Sequence, residues 1–170
     1  NSSFVPTDYR LQRGDRLIDE IEAKYAGYAA QAVCPVVLGA PDDEYQKMID
    51  ISRACFDSIL HNMKPGVTFG WLFDIYRDTV ERVGNGKYLW NHPMMHARGL
   101  GDDGPALLGD KELERFSKIE LQTGMTFILK PQVRPREGKG RASIGDTVAV
   151  TENGARRLGK RELKLIVKNV

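Results

Sequence analysis

Between Asp15 and Leu38 the chain changes its hydrophobic rhythm once and marks the change with a turn signal. Ile21, Ala23 and Tyr25 alternate with Glu20, Glu22 and Lys24, the period-two pattern of a half-buried strand. Ala26-Gly27 reads as a tight turn, and Ala32 to Leu38 is almost wholly apolar, so the returning strand is expected to be buried on both faces. After Pro41 the period lengthens. Tyr45, Met48, Ile49, Ser52, Cys55, Phe56, Ile59, Leu60 and Met63 recur at helical spacing, with Asp42 or Asp43 as the cap and Lys64-Pro65-Gly66 as the stop. A second helix is expected from the Thr68 cap to Gly84, carrying Trp71, Leu72, Ile75, Tyr76, Val80 and Val83. A hairpin followed by two amphipathic helices predicts an α+β layout.

The flanking stretches are less periodic. Residues 1–13 are polar, contain Pro6 and read as a leading segment. Residues 85–117 are dense in Gly, Asn, Pro and Asp and hold His92 and His96, which predicts a surface loop or a site loop. Two strands are expected at Thr126–Val133 and Ile144–Thr151, a turn at Glu152-Asn153-Gly154, and a last short strand at Leu163–Val167. No internal repeat is present, and residues 1–170 read as one domain.

Composition narrows the function classes. The chain has 25 basic and 23 acidic residues, a formal charge of +2, so neither a nucleic-acid footprint nor an acidic tail follows. The cluster Arg134-Pro-Arg-Glu-Gly-Lys-Gly-Arg141 is interleaved with Gly and Pro and reads as a solvated loop. Cys34 and Cys55 lack metal-ligand spacing and sit in apolar runs, which points to buried free thiols and a reducing cytoplasm. No run of about 18 apolar residues is present to span a membrane. The chain begins at Asn1 rather than at methionine, which leads us to expect part of a longer chain.

The strings GDRLIDEIEAKYAGYAAQ, LGAP, KPG, GMTFILKP and GDTVAVTENGARRL, in this order and spacing, resemble the pita-bread family. That family includes methionine aminopeptidase, aminopeptidase P, prolidase and creatinase. The resemblance runs from about Arg10 to Leu158. It implies a curved antiparallel sheet backed by helices and enclosing a two-metal site. It also implies pairing as a homodimer, although nothing in the sequence shows an interface, and a further layer of the domain ahead of this stretch. The ligands implied are two aspartates eleven apart on the hairpin, one histidine, and two glutamates on the last strands. A cluster of that kind suits divalent ions that generate a hydroxide nucleophile.

Carried over position by position, the ligand pattern departs from the family. The hairpin positions hold Glu20 and Gln31, with Asp19 one step away on the opposite face. His96 in HARGLG matches the family histidine, while Lys130 in GMTFILKP and Gly145 before Asp-Thr-Val stand where the glutamates belong. An ammonium at a bridging-carboxylate position repels a dication by about 4 kcal/mol per unit charge at ~4 Å and an effective dielectric of ~20. The expectation is therefore a site with no metal and no other cofactor. Creatinase and ectoine hydrolase are family members that resemble this fold and work without metals. Glu-Ile at 20–21 is similar to ectoine-hydrolase-like sequences. The likeness to creatinase is poorer, because residues 1–13 contain no histidine and Lys130 again replaces a glutamate.

The candidate residues carry competing readings. Glu20 and His96 are the candidate catalytic pair, as carboxylate and acid–base imidazole. Alternatively, Glu20 and Lys130 form an internal ion pair in the vacated cavity, and His96 is a hydrogen-bonded loop histidine. Arg98 and Lys130 are candidate anion grips, and Gln31 and His92 candidate substrate contacts. HPMMH has His-x-x-x-His spacing, but Pro93 disfavours a helical turn there and a third ligand is lacking. Met94 and Met95 read as packing residues, Asp102 and Asp103 as loop-solvating, and Asp146 as a group that orients the start of its strand. Three functions stay open: metal-independent hydrolysis of a small amide or amidine C–N bond, a non-catalytic ligand-binding or dimerisation module, and a conventional metal-dependent Xaa-Pro peptidase. A small-molecule or short-peptide substrate is expected, with no nucleic acid and no membrane.

Overall fold

The computed structural model describes residues 7–91, 94–101, 104–107 and 109–169. Strand β1 (Arg16–Tyr25) pairs with β2 (Tyr28–Leu38) in an unbroken antiparallel ladder from Arg16↔Val37 to Tyr25↔Tyr28. The turn between them places Ala26 at φ 48° and Gly27 at φ 82°. Positive φ at both central residues matches the twist of a two-residue hairpin, and glycine takes it at no steric cost. The unbroken ladder leaves Asp19 opposite Cys34, on the face away from Glu20.

Helix α1 (Asp43–Asn62) starts where Asp42 accepts the Tyr45 N–H at 2.8 Å, and ends at Met63 ahead of Pro65. Helix α2 (Phe69–Gly84) is capped by Thr68, whose hydroxyl accepts the Trp71 N–H at 3.2 Å, and closes on left-handed Asn85. Both caps satisfy amides that the helix itself cannot. The buried stripe of α2 is Phe69, Leu72, Phe73, Tyr76 and Val80; Trp71, expected on that face, is exposed instead. Among the described residues no helix is long and apolar enough to cross a membrane.

The stretch expected to be irregular carries short elements: β3 (Tyr88–Asn91), β4 (Met95–Ala97), β5 (Ala106–Leu107) and α3 (Asp110–Phe116). Met94 and Met95 are buried in the core, as their packing role requires. Beyond them, the strand expected over 126–133 is two, β6 (Thr126–Leu129) and β7 (Gln132–Pro135). Pro131 has no N–H to donate to a ladder, so the chain leaves one sheet and joins another there. Likewise β8 (Ala142–Ser143) precedes β9 (Gly145–Thr151), and after β10 (Gly154–Arg157) the last strand is β11 (Ile166–Lys168), shifted from the expected 163–167.

Among the described residues the main sheet runs β1-β2-β9-β6-β4-β5, with β10 on β9 and β11 on β2, while β3-β7-β8 form a second sheet. Ser52 of α1 pins the crossover between the sheets. Its hydroxyl donates to the Pro131 carbonyl at 2.7 Å and accepts the Ile144 N–H at 3.1 Å. The core lies between α1, α2 and one face of the main sheet, where Met95, Phe127, Leu129, Val148 and Val150 meet Tyr45, Phe56, Phe69 and Tyr76. Cys34 and Cys55 are free and buried, and burial pushes the Cys55 thiol up.

The half-buried pattern expected for β1 does not hold. Every residue of β1 is exposed or only partly covered, with Ile21 at 52% and Tyr25 at 88% exposure. The alternation of the sequence is there, but among the described residues nothing covers the apolar side.

Candidate functional site

Side chains at paired positions of an antiparallel ladder point to the same face, so the strand registers show what meets across the sheet. On the face away from the helices three rows appear. In the first, Glu20 lies opposite Val33, Val33 opposite Gly145, and Gly145 beside Lys130, the residue after Leu129 at the end of β6. In the second, Glu22 lies opposite Gln31, whose backbone N–H and C=O both bond the Thr147 hydroxyl at 2.8 Å. Thr147 lies opposite Ile128, and Ile128 opposite His96. The third row holds Lys24, Ala29, Thr126 and Arg98, the last through an Arg98 N–H bond to the Thr126 carbonyl at 3.0 Å. Successive rows are about 6.8 Å apart along the strands.

Lys130 crosses the first row. Its Nζ lies 3.0 Å from both Glu20 carboxylate oxygens, and Gln31 Nε2 donates to Glu20 Oε2 at 3.1 Å. Glycine at 145 opens the way. A Cβ there would stand 2.7 Å from Lys130 Cβ and 2.6 Å from the Leu129 carbonyl oxygen. Lys130 and Gln31 are buried, whereas the Glu20 side chain keeps 41% of its surface in solvent. Beneath this row Arg161 donates from Nη2 to the Val33 and Gly145 carbonyls at 2.7 and 2.8 Å, bridging β2 and β9 where their ladder ends.

A second ion pair joins the buried Arg98 guanidinium to Glu22, whose other oxygen is 3.1 Å from Lys24. His96 is partly exposed, and its Nδ1 lies 3.0 Å from the Ala97 carbonyl oxygen. Asp146 is the second residue of β9, at the start of its strand as expected, and it is buried. Its Oδ1 accepts the Thr147 N–H at 2.8 Å, and Arg157 stands 3.6 Å from Oδ2. Burial pushes its carboxyl above the ordinary value, against the pull of the Thr147 N–H and of Arg157 and Arg161.

Two clefts border the third row. One of about 300 Å³ is lined by Tyr28, Arg98, Gly99, Pro105, Met125 and Thr126, and another of about 160 Å³ by Glu22, Lys24, Ala29, Arg98 and Gly99. Neither is lined by Glu20, His96 or Lys130. The structure thus brings Glu20, Gln31 and Lys130 into contact and puts His96 and Arg98 on the same face. His92 lies outside the described residues, as do Pro93, Asp102 and Asp103. Sequence reasoning missed Glu22, although it shares the period-two face of Glu20. It also missed Arg161, for which no signal existed, because that residue sits in irregular chain far from the strands it ties.

A curled antiparallel sheet with helices on one face and a charged recess on the other is the pita-bread architecture, here in an α+β chain. The chain belongs to metallopeptidase family M24, whose profile matches residues 2–152. It is similar to an Xaa-Pro dipeptidase of Pyrococcus horikoshii, 29% identical over 164 residues, covering 95% of this chain and 44% of that protein. An agropine synthesis cyclase of Rhizobium rhizogenes is 31% identical over 132 residues, covering 76% and 32% respectively. Among solved structures, a Pyrococcus horikoshii dipeptidase superposes at a TM-score of 0.82 with 25% identity, covering 99% of this chain and 45% of that one. A methionine aminopeptidase of Rickettsia prowazekii shares the fold at a TM-score of 0.74, 16% identity and 90% and 67% coverage. The chain spans less than half the length of the prolidase-type relatives it matches.

Proposed function

We propose that this chain belongs to a peptidase-like hydrolase that cleaves a C–N bond of a small amide, amidine or short peptide without a metal ion. The observation that carries the reading is the Lys130 ammonium on both oxygens of Glu20. The residues present do not fit the two-metal centre that the family implies. One carboxylate is held by an ammonium, Gln31 offers a neutral amide, and at Gly145 the space of a side chain is already taken by Lys130. Among the described residues no group of three or more His, Cys, Asp and Glu side chains is placed to hold a metal.

In this reading Glu20, still open to solvent, accepts a proton from a water whose oxygen attacks the substrate carbon. The C–N bond breaks, the water oxygen stays on the carbon (giving a carboxyl product from an amide or peptide and an amide from an amidine), and His96 delivers a proton to the departing nitrogen. An ammonium has three N–H groups. Two of those on Lys130 are directed at Glu20, and the third steadies negative charge as it develops on the substrate, while Arg98, two rows away, serves as a grip for an anionic group elsewhere on the substrate. A relative named as a cyclase supports small-molecule chemistry within the same family. Homodimer formation and a cytoplasmic setting belong to the same proposal, the latter supported by the two free thiols.

A second reading, a non-catalytic ligand-binding module, is favoured by one observation: the bordering clefts avoid Glu20, His96 and Lys130. Plasma mass spectrometry of protein desalted after incubation with Mn²⁺, Co²⁺ and Zn²⁺, paired with a hydrolysis screen, separates the readings. We expect no stoichiometric metal and turnover of a small amide that Glu20→Gln abolishes. Retained metal would restore the Xaa-Pro peptidase, and absence of both metal and turnover would leave the module.

A further inference from the structure

We infer that Gln31 is a substrate-binding acceptor whose partner is the N–H of the reacting amide, lactam or ureide, so that the recess selects neutral N–H-bearing C–N bonds over Xaa-Pro bonds. The inference rests on the hydrolase reading for its choice of substrate class.

The orientation of the Gln31 amide follows from its neighbour. Nε2 donates to Glu20 Oε2 at 3.1 Å. An ionised carboxylate only accepts, so turning the amide over would set two acceptors against each other. Oε1 is therefore committed to the other side, where it is buried and has no hydrogen-bond partner among the described residues. Buried polar atoms are almost always paired, and an orphaned carbonyl oxygen asks for a donor. The residue is more than nine-tenths buried, so the acceptor is a built feature of the recess.

The surrounding charges define the donor. Glu20 is engaged by Lys130, and Glu22 by both Arg98 and Lys24, so both carboxylates are already paired with cations. An ammonium or guanidinium ligand would find both carboxylates already engaged. A neutral N–H needs no counter-charge. Glu22, opposite Gln31 in the ladder, lines the neighbouring cleft of about 160 Å³, whose walls on β2 stop one same-face position short of the Gln31 side chain itself. The nitrogen of an Xaa-Pro bond carries no hydrogen and leaves Gln31 Oε1 unpaired.

The test compares N-acetylglycine, which has the N–H, with N-acetylsarcosine and N-acetylproline, which lack it. Binding is followed by ligand-observed NMR on the wild-type protein and on Gln31→Leu, with hydrolysis read in the same samples. We expect N-acetylglycine to bind about ten-fold more tightly than the N-substituted pair, the worth of one hydrogen bond to a buried acceptor, and the preference to vanish in Gln31→Leu. Equal affinities, a preference for N-acetylproline, or no binding of any of the three at tens of millimolar overturns the inference. A preference that persists in Gln31→Leu does so too. The wild-type ratio decides even if that variant fails to fold. Selective binding without hydrolysis keeps this inference and removes the hydrolase reading; hydrolysis without N–H selectivity does the reverse.

Discussion

The two faces of the β1–β2 hairpin invert the usual arrangement. On one, Glu20, Glu22 and Gln31 meet the buried cations Lys130 and Arg98, and Val33 and Ala29 beneath them are buried. On the other, Ile21, Ala23, Tyr25 and Ala30 are apolar and exposed. Burial of charge is tolerated where each charge has a partner and remaining polar groups are bonded. Exposure of apolar side chains costs nothing extra if the unfolded chain exposes them as well. Polarity alone therefore does not tell which side of a strand faces inward; the partners brought by β4, β6 and β9 do.

The sharpest way to break the contrast is to restore the family carboxylate on the inner face. Gly145→Glu forces a side chain into the space of Lys130 and the Leu129 carbonyl, and we expect a loss of about 3 kcal/mol. Thermal unfolding should show a fall of roughly 6–12 °C for a chain of this size. A variant as stable as wild type would show that the inner face has room the geometry denies.

Lys130→Met removes the buried cation while leaving Glu20 partly in water, so the expected loss is smaller, about 2 kcal/mol in denaturant unfolding. Adding Glu20→Gln should then cost little more, because the interaction is already gone. Strict additivity of the two would mean that the contact contributes nothing to stability.

Asp146 tests the neighbouring buried carboxyl through pH. Its raised value means that the folded chain holds the proton more tightly than the unfolded one. The corresponding stability is fully present below the ordinary carboxylate range, near pH 4, and is lost as pH rises through the raised value. Asp146→Asn lacks this titration, so its melting temperature minus that of wild type should grow as pH rises from about 4 toward neutrality. A flat difference would contradict the burial of an ionisable carboxyl. The smallest effect belongs to the outer face: Ile21→Ser and Tyr25→Ser should each change stability by no more than about 0.5 kcal/mol. A larger loss would mean that something covers these side chains in solution.

Much of the fold was legible because it rests on local chemistry. The hairpin turn at Ala26-Gly27, the Asp42 and Thr68 caps and the stripe of α1 are decided within a few residues of where they act. Where reading failed, distant partners decided. Pro131 splits one expected strand, and the crossover it makes is held by Ser52, 79 residues earlier, through the Pro131 carbonyl. Trp71 faces solvent because the α2 stripe is turned to present Phe69 and Phe73 to the core.

The candidate site divides the same way. Family order and spacing brought Glu20, Gln31, His96 and Lys130 to notice, but not that Gln31 orients against Glu20, that Glu22 holds Arg98, or that Arg161 ties the strands beneath them. By itself the sequence determined the hairpin, the two long helices, the family and the exchange of acidic ligands for Lys130 and Gly145. The Glu20–Lys130 pair stood in the sequence as one of two readings; only the tertiary structure decided for it and disclosed the Glu22–Arg98 pair. Strand register multiplies a single pairing into a whole row of neighbours, and those neighbours lie as much as 116 residues apart along the chain, beyond the reach of any local pattern.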